Sequence, residues 1–130
     1  MKIVHMSGSR KRAMARATVK EGKGIVRVNG QILDQFSNWV SRMRIKEPLV
    51  LAGETAGKVN IEVNVHGGGW SAQSDAVRVA IARSLAEFHK PLRKVFLEYD
   101  RHLIVPDIRQ AESSKPNKSK PRKKRQKSYR

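Results

Sequence analysis

The stretch that decides the fold is KVNIEVNVHGGGWSAQSDAVRVAIARSLAEF, residues 58–88. Over Lys58–Val65, Val and Ile alternate with Asn and Glu, which predicts a strand with one buried face. Three consecutive glycines, 67–69, follow this strand. From about Ser71 to Phe88, apolar residues recur at spacings of four, four and three, which predicts an amphipathic helix. The stretch therefore predicts a strand that turns tightly into a helix.

The residues before this stretch predict two further strands and a helix. Segments Arg12–Val19 and Gly24–Val28 are expected to be strands, joined at 21–24 by a glycine-containing hairpin turn. Asn29-Gly30 predicts a second turn. Ser37–Lys46 predicts a helix that Pro48 interrupts, and the residues expected on its apolar face are Phe36, Val40 and Met43.

A last helix is expected to begin at Pro91, because proline suits the first turn of a helix, and to bury Leu92, Val95 and Phe96. The predicted order is then strand, strand, helix, strand, helix, helix. This order indicates an α+β fold in which helices pack on one face of a small sheet.

Composition divides the chain near residue 106. Residues 1–106 carry the apolar periodicities and are expected to form one globular domain. Residues 107–130 are rich in Pro, Ser, Lys and Arg, and are expected to form an extended tail that stays disordered until it meets a partner. Nine basic residues and no acidic one lie between Lys115 and Arg130, and residues 1–114 still carry a net charge of +8.

Charge is the strongest indicator of function. The chain has 28 Lys and Arg against 11 acidic residues, a formal net charge of +17. Such an excess favours a polyanionic partner, either nucleic acid or an anionic membrane surface. No apolar run approaches the roughly 20 residues that a membrane-spanning helix needs.

Nothing in the sequence indicates catalysis. There is no cysteine, and the four histidines form neither an HExxH nor an HxH pair. We therefore expect no catalytic residue, no metal site, no cofactor and no small-molecule substrate.

Three motifs suit phosphate binding, although each has a plainer interpretation. Gly67–Gln73 joins a strand to a helix N-terminus, which favours an anion, but taken alone it is more often a tight turn without a ligand. The cluster Ser7–Arg12, with Arg16, suits phosphates or a solvated face. The run Lys120–Lys127 suits a nuclear-localisation patch, a solvated tail or an arm threaded through RNA.

Taken whole, Gly67–Leu85 resembles the signature of small-subunit ribosomal protein nine, the universal S-nine family. The residues that agree are the three glycines, Gln73, Ala76, Ala80, Ala82, Arg83 and Leu85. Gly8–Arg12 with 15–17 resembles the N-terminal block of the family, and Gly22–Gly24 with 28–30 resembles its following hairpin. The similarity extends from about residue 4 to residue 130.

The resemblance implies a βαβ unit with a left-handed crossover, against the usual handedness. It also implies a structural protein of the cytoplasmic ribosome that binds small-subunit rRNA in the head, beside neighbouring head proteins. The C-terminal tail of the family reaches toward the decoding centre and touches the tRNA in the peptidyl site. The Gln-Lys-Ser-Tyr-Arg ending resembles archaeal or eukaryotic members, whereas bacterial members commonly end Phe-Ser-Lys-Arg.

Carried over to this chain, the resemblance and the charge pattern predict two sets of binding residues. The residues expected to bind rRNA are Ser9, Arg10, Lys11, Arg12, Arg16, Gly67, Gly68, Gly69, Gln73, Lys115, Lys118, Lys120, Arg122, Lys123, Lys124 and Arg125. The residues expected to bind tRNA are Lys127, Ser128, Tyr129 and Arg130, with Arg130 as the main phosphate contact.

Two other classes of function compete with this hypothesis. A basic chaperone that coats DNA or RNA without a fixed site would share the composition, but it would bind many unrelated sequences. An enzyme would need a catalytic pair that the sequence does not offer. A membrane-surface role is the weakest alternative, because the basic tail lacks an amphipathic apolar face.

Overall fold

The computed structural model describes residues 1–36 and 38–129. The strands are β1 (Ile3–Arg10), β2 (Ala13–Glu21), β3 (Val26–Val28), β4 (Gln31–Ile32) and β5 (Val59–His66), and the helices are α1 (Trp39–Ala52), α2 (Trp70–Phe88) and α3 (Leu92–Tyr99). Short 3₁₀ segments cover Leu33–Gln35, Gly53–Lys58 and Arg101–Leu103.

The five strands form one mixed sheet in the order β1-β2-β5-β3-β4. All neighbouring strands are antiparallel except β3 and β5, which are parallel. The chain passes from β3 to β5 through α1. The α+β prediction is confirmed. The unit β3–α1–β5 is the crossover to which the family resemblance assigns a left hand, and that handedness stays a prediction.

One face of the sheet is covered by helices and the other is open. Along β2, Ala13, Ala15, Ala17 and Val19 are buried, while Met14, Arg16 and Lys20 between them are exposed. Val59, Ile61 and Val63 of β5 are buried on the same face. Helix α2 lies across β1 and β2 and supplies ten buried residues, so it forms the centre of the core.

The approach of α2 to β1 depends on Gly8. A Cβ atom built there would lie 2.5 Å from the backbone nitrogen of Ala80 and 2.6 Å from the backbone oxygen of Ala76. Because these two helix residues are themselves small, the backbones of helix and strand come into direct contact.

The predicted hairpin between 12–19 and 24–28 is wrong. Strands β2 and β3 do not pair with each other; each pairs with β5, which lies between them. The segment after β2 bonds instead to the beginning of β5, where the Gly22 and Gly24 amides donate to the carbonyls of Lys58 and Val59 at 2.9 and 3.0 Å. A local turn signal cannot reveal a strand inserted from 35 residues later in the chain.

Strand β1 was not predicted. Only Val4 and Gly8, four residues apart, are buried in it, and Gly8 carries no apolar side chain that a periodicity could show. The β1–β2 turn consists of Lys11 and Arg12, and Lys11 adopts a positive φ of 54°. By contrast, the Asn29-Gly30 turn is confirmed, with both residues at positive φ between β3 and β4.

Pro48 lies inside α1, so the prediction that it interrupts the helix is wrong. Its ring is buried on the same side as Ile45 and Ala52. The packing of this side against the rest of the chain outweighs the loss of one backbone hydrogen bond. The predicted apolar face is also wrong, since Val40 and Met43 are exposed.

The other helix predictions are confirmed with one exception. Helix α2 begins one residue before the predicted Ser71, and α3 buries Leu92 and Phe96 as expected. Val95, however, is 40% exposed. Beyond Leu103 and Ile104, which are buried, no residue up to 129 is assigned to a helix or strand. Among the helices of the described residues, none is long and apolar enough to cross a membrane.

Candidate nucleic-acid interface

The glycine loop between β5 and α2 is shaped first by the fold itself. Gly67 and Gly68 have φ values of 78° and 65°, which disfavour any other residue. A Cβ on Gly67 would lie 2.5 Å from the carbonyl oxygen of Arg12. Gly67 and Gly68 are therefore required by a tight turn that packs against the β1–β2 turn. This agrees with the interpretation of the loop as a tight turn, which needs no ligand.

Gly69 differs from its two neighbours. Its φ is −93°, which any residue tolerates, and a Cβ there would have no atom within 4 Å. It is the N-cap of α2, and none of the described side chains caps that end of the helix. The first backbone hydrogen bond runs from the Gln73 amide to the Gly69 carbonyl at 2.9 Å. The preceding amides, at 70–72, therefore lie at an uncapped, partly positive helix end that suits an anion.

The side chain of Gln73 stabilises the glycine loop by a hydrogen bond to the loop's own backbone. Its side-chain Nε2 donates to the Gly67 carbonyl oxygen at 3.0 Å, across the turn from strand to helix. This bond explains why an amide at this position matters for the loop. Direct contact of Gln73 with rRNA stays a prediction.

The predicted N-terminal block is divided over three environments. Lys11 and Arg12 form the exposed β1–β2 turn, directly against Gly67 and Gly68. Arg16 lies on the open face of the sheet, where it is paired in register with Ser7 of β1 and Asn64 of β5. Two of the three local signals in the sequence, the basic turn and the glycine loop, are thus brought together by the fold.

Ser9 and Arg10 lie on the other side of this turn. Ser9 is half-buried in β1. The guanidinium of Arg10 lies 3.5 Å from the Asp107 carboxylate and donates to the Arg109 carbonyl oxygen at 3.4 Å. In addition, the side chain of Gln110 donates to the Lys11 carbonyl oxygen at 3.3 Å. The beginning of the predicted tail is therefore attached to the basic turn.

Asp107 is the central acceptor of this attachment, which we call the tail clasp (Arg10, Lys11, Asp107, Arg109 and Gln110). Hydrogen bonds from the side chain and backbone of Arg109 hold the pKa of the Asp107 carboxyl well below its usual range, and the charge of Arg10 adds to this effect. The carboxylate thus stays ionised beside two arginines at any physiological pH.

Residues further along the tail are exposed. Glu112 pairs with Lys115 at 3.1 Å and with Arg122 at 2.7 Å, so two of the predicted rRNA-binding cations have an acidic partner in the chain. The other predicted residues of the tail are exposed; these are Lys118, Lys120, Lys123, Lys124, Arg125, Lys127, Ser128 and Tyr129. Arg130 lies outside the described residues.

Sequence reasoning missed the tail clasp and the polar residues of the open sheet face. That face carries a shallow depression lined by His5, Ser7, Arg16, Thr18 and Asn64. The alternation within β2 would have placed Arg16 and Thr18 there, but β1 was not recognised. No sequence pattern indicates that Asp107 reaches Arg10. Among the described residues, no three His, Asp or Glu side chains are grouped so that they could hold a metal ion.

Comparison with known proteins identifies the family of the chain. The family model described as Ribosomal protein S9/S16 matches residues 8–130. Small ribosomal subunit protein uS9 of Methanococcus vannielii is 45% identical, with both chains covered completely. The protein of that name from Desulfurococcus amylolyticus is 46% identical over all of this chain and 94% of its own. Both organisms are archaea, in agreement with the predicted archaeal or eukaryotic form. This chain belongs to the ribosomal protein S9/S16 family, whose members are structural components of the ribosome.

Proposed function

We propose that this chain, a structural protein of the small ribosomal subunit, binds rRNA of the head through one basic surface. This surface consists of Lys11, Arg12 and the uncapped N-terminus of α2 at Gly69, and Arg16 is proposed to add a separate rRNA contact from the open face of the sheet. The observation that carries the proposal is the contact between the basic β1–β2 turn and the glycine loop. Family membership supports the ribosomal role.

The chemistry of this surface suits a phosphate backbone. Lys11 and Arg12 project from a turn, so their side chains can reach phosphates on both sides of it. The amides at the beginning of α2 add donors that need no side chain, and the open space at Gly69 allows a phosphate to approach closely. Such contacts fix the position of a protein on RNA without reading its sequence.

Residues 107–130 are proposed to act as an arm that orders on RNA. Their cations neutralise phosphates as the arm threads inward, and this neutralisation offsets the entropy lost on ordering. Its last residues, 127–130, are proposed to contact the tRNA in the peptidyl site. Tyr129, which is 88% exposed, adds a ring on which a base could stack.

The tail clasp gives Arg10 a second role beside its predicted contact with rRNA. By binding Asp107 and Arg109, Arg10 sets the direction in which the arm leaves the domain. Because the clasp includes the backbone of Lys11 in the basic turn, an RNA bound at the turn also meets the base of the arm.

Salt dependence of binding tests this surface. Each phosphate neutralised contributes roughly 0.7 to 0.9 to the slope of log affinity against log salt. Replacing Lys11 and Arg12 together by Ala should therefore lower the slope for a small-subunit head rRNA by roughly 1.4 to 1.8. The matched control is the double Ala replacement of Arg93 and Lys94, two exposed cations on α3 far from the turn in sequence.

An unchanged slope in the Lys11 and Arg12 variant would contradict the proposed surface. A slope that falls equally in the control would show that charge acts without a fixed site, as the chaperone hypothesis requires. That hypothesis also predicts equal affinity for unrelated RNAs of the same length, whereas ours predicts a preference for the head rRNA.

A further inference from the structure

A small pocket adjoins the glycine loop, where the beginnings of α1 and α2 meet the β3–β4 turn. Its volume is about 200 Å³, less than the roughly 300 Å³ at which pockets for drug-sized ligands begin, so it accommodates one flat ring system. Its apolar lining includes Val28, Phe36, Val65 and Val77. Trp70, which directly follows Gly69 and is 56% exposed, also lines it. We call this site the Trp70 pocket.

The ring of Trp70 is held in place by Arg44 of α1. The guanidinium carbon of Arg44 lies 5.9 Å from the centre of the ring, which is a cation–π contact. Arg44 in turn donates to the Ser71 hydroxyl at 2.7 Å and lies 3.6 Å from the Asp75 carboxylate. The exposed part of this ring is therefore a preoriented surface on which another flat ring can stack.

Three carboxamides of the pocket, those of Gln31, Asn38 and Gln73, retain hydrogen-bonding capacity. The side chains of Gln31 and Gln73 each donate to one backbone carbonyl, at 3.1 and 3.0 Å. The side-chain oxygen of Asn38 accepts from the first backbone amides of α1. Within the described part of the chain, the other end of each carboxamide has no partner. The pocket therefore offers both donors and acceptors to a ligand.

The chemistry of the lining selects the kind of ligand. Among the described residues that line the Trp70 pocket none is charged, so a phosphate would find no cation there. An apolar side chain of a protein would cover the three carboxamides without giving them hydrogen bonds, which is unfavourable. A nucleobase meets both demands, because it has a flat face for the Trp70 ring and edges that carry donors and acceptors.

We infer that the Trp70 pocket binds one unpaired base of the RNA that the basic surface holds by its phosphates. The two sites are adjacent, since Trp70 follows Gly69 directly and Gln73 is bonded across the glycine loop. The inference rests on the proposed binding of rRNA and adds to it a contact with a base. Phosphate contacts change the salt dependence of binding and stacking of a neutral base does not, so the two proposals can be tested separately.

Ultraviolet irradiation of isolated small subunits tests this inference. It joins a stacked base directly to an aromatic ring, and mass spectrometry of the digest identifies the residue that carries a nucleotide. Trp39 is the matched control, because it is 62% exposed but does not line the pocket. We expect nucleotide adducts on Trp70 and fewer on Trp39. No adduct on Trp70, equal adducts on both residues, or a crosslink from Trp70 to protein would overturn the inference.

A binding measurement then uses the purified full-length chain and an rRNA fragment that contains the crosslinked nucleotide. In Trp70→Leu the dissociation constant should rise at least about fivefold, as for the loss of one stacked base, and Trp70→Phe, which keeps an aromatic ring, should lose less. In the control Trp39→Leu it should stay within about twofold. Because Trp70→Leu removes no charge, the slope of log affinity against log salt should not change.

An abasic nucleotide at the crosslinked position separates a base contact from a change in folding. It should weaken binding to the original chain at least about fivefold, and Trp70→Leu should then cause no further loss. Losses that add up in the combination of the two changes would overturn the inference. So would normal affinity of Trp70→Leu for the intact fragment. If the Lys11 and Arg12 variant still lowers the salt slope in that case, the basic surface stands without the pocket.

Discussion

The contact of β1 with α2 at Gly8 makes the sharpest prediction about the fold. In Gly8→Ala, the added Cβ would lie 2.5 Å from the Ala80 nitrogen and 2.6 Å from the Ala76 oxygen. Ordinary contact begins near 3.4 Å, so helix and strand must separate by about 0.9 Å. Neither atom can rotate away, because both belong to the helix backbone. The clash cannot be relieved by a change of side-chain rotamer.

The free-energy change follows from this geometry. Overpacking a core costs about 1–3 kcal/mol, and the upper end applies because backbone atoms are in contact. A Gly-to-Ala change also restricts the unfolded chain, which contributes about 0.4–1 kcal/mol in the opposite direction. We therefore expect Gly8→Ala to lower the free energy of unfolding by about 2 kcal/mol, or the melting temperature by about 8–16 °C.

Urea unfolding at fixed salt, followed by circular dichroism, measures the change. The matched control is Gly57→Ala, where the added Cβ meets no atom within 4 Å. Its stability should be unchanged or raised by up to about 1 kcal/mol. If Gly8→Ala unfolds at the same urea concentration as the original chain, the close packing of β1 on α2 is wrong.

Four further predictions concern the tail and the helices. Replacing Asp107 by Asn removes the central acceptor of the tail clasp, so trypsin should cut after Arg109 roughly fivefold faster, whereas Glu112→Gln should leave that rate unchanged. Because the pKa of Asp107 in the folded chain is depressed, the clasp is fully present above the ordinary pKa of 3.8 and is lost as the pH falls through the lower pKa of the folded state. An NMR titration of Asp107 with a midpoint at or above 3.8 would contradict this prediction. In Arg78→Met, Glu47 and Asp100 lose their shared partner, and the free energy of unfolding should fall by about 1 kcal/mol. The change is modest because both acids are about a third exposed. In the control Glu98→Gln, which removes an exposed acid, the free energy of unfolding should change by less than about 0.5 kcal/mol. Removing residues 127–130 should leave assembly of the small subunit intact and weaken tRNA binding in the peptidyl site, and normal tRNA affinity would refute the role of the arm.

The sequence predicted those parts of the fold whose signal is local. The alternation in β5 and the spacing in α2 each lie within one element, and both predictions agree with the structure to within about a residue. The Asn29-Gly30 turn was also predictable, because a two-residue turn with positive φ values requires such residues.

The predictions that failed depend on contacts between distant segments. The pairing of β2 and β3 with β5 is decided by hydrogen bonds from residues 22 and 24 to residues 58 and 59, which no turn signal contains. Pro48 is tolerated in α1 because of what its ring packs against. The apolar side of α1 could not be chosen from the sequence, since two opposite faces carry apolar residues at the same spacing.

The candidate interface was predictable in its parts but not in its arrangement. Charge and glycines indicated Lys11, Arg12 and the loop 67–69 separately, and only the fold shows that they lie against each other. The clasp between Arg10 and Asp107 joins residues almost 100 positions apart, so a charge run alone could not indicate it.

Ultraviolet crosslinking in cells, followed by sequencing of the bound RNA, tests the central claim most directly. If the basic surface and the arm act as proposed, crosslinks should concentrate in one region of small-subunit rRNA, and those of the arm should include tRNA. Crosslinks scattered over messenger RNA and DNA, with no concentration in rRNA, would contradict the account and favour a chaperone without a fixed site.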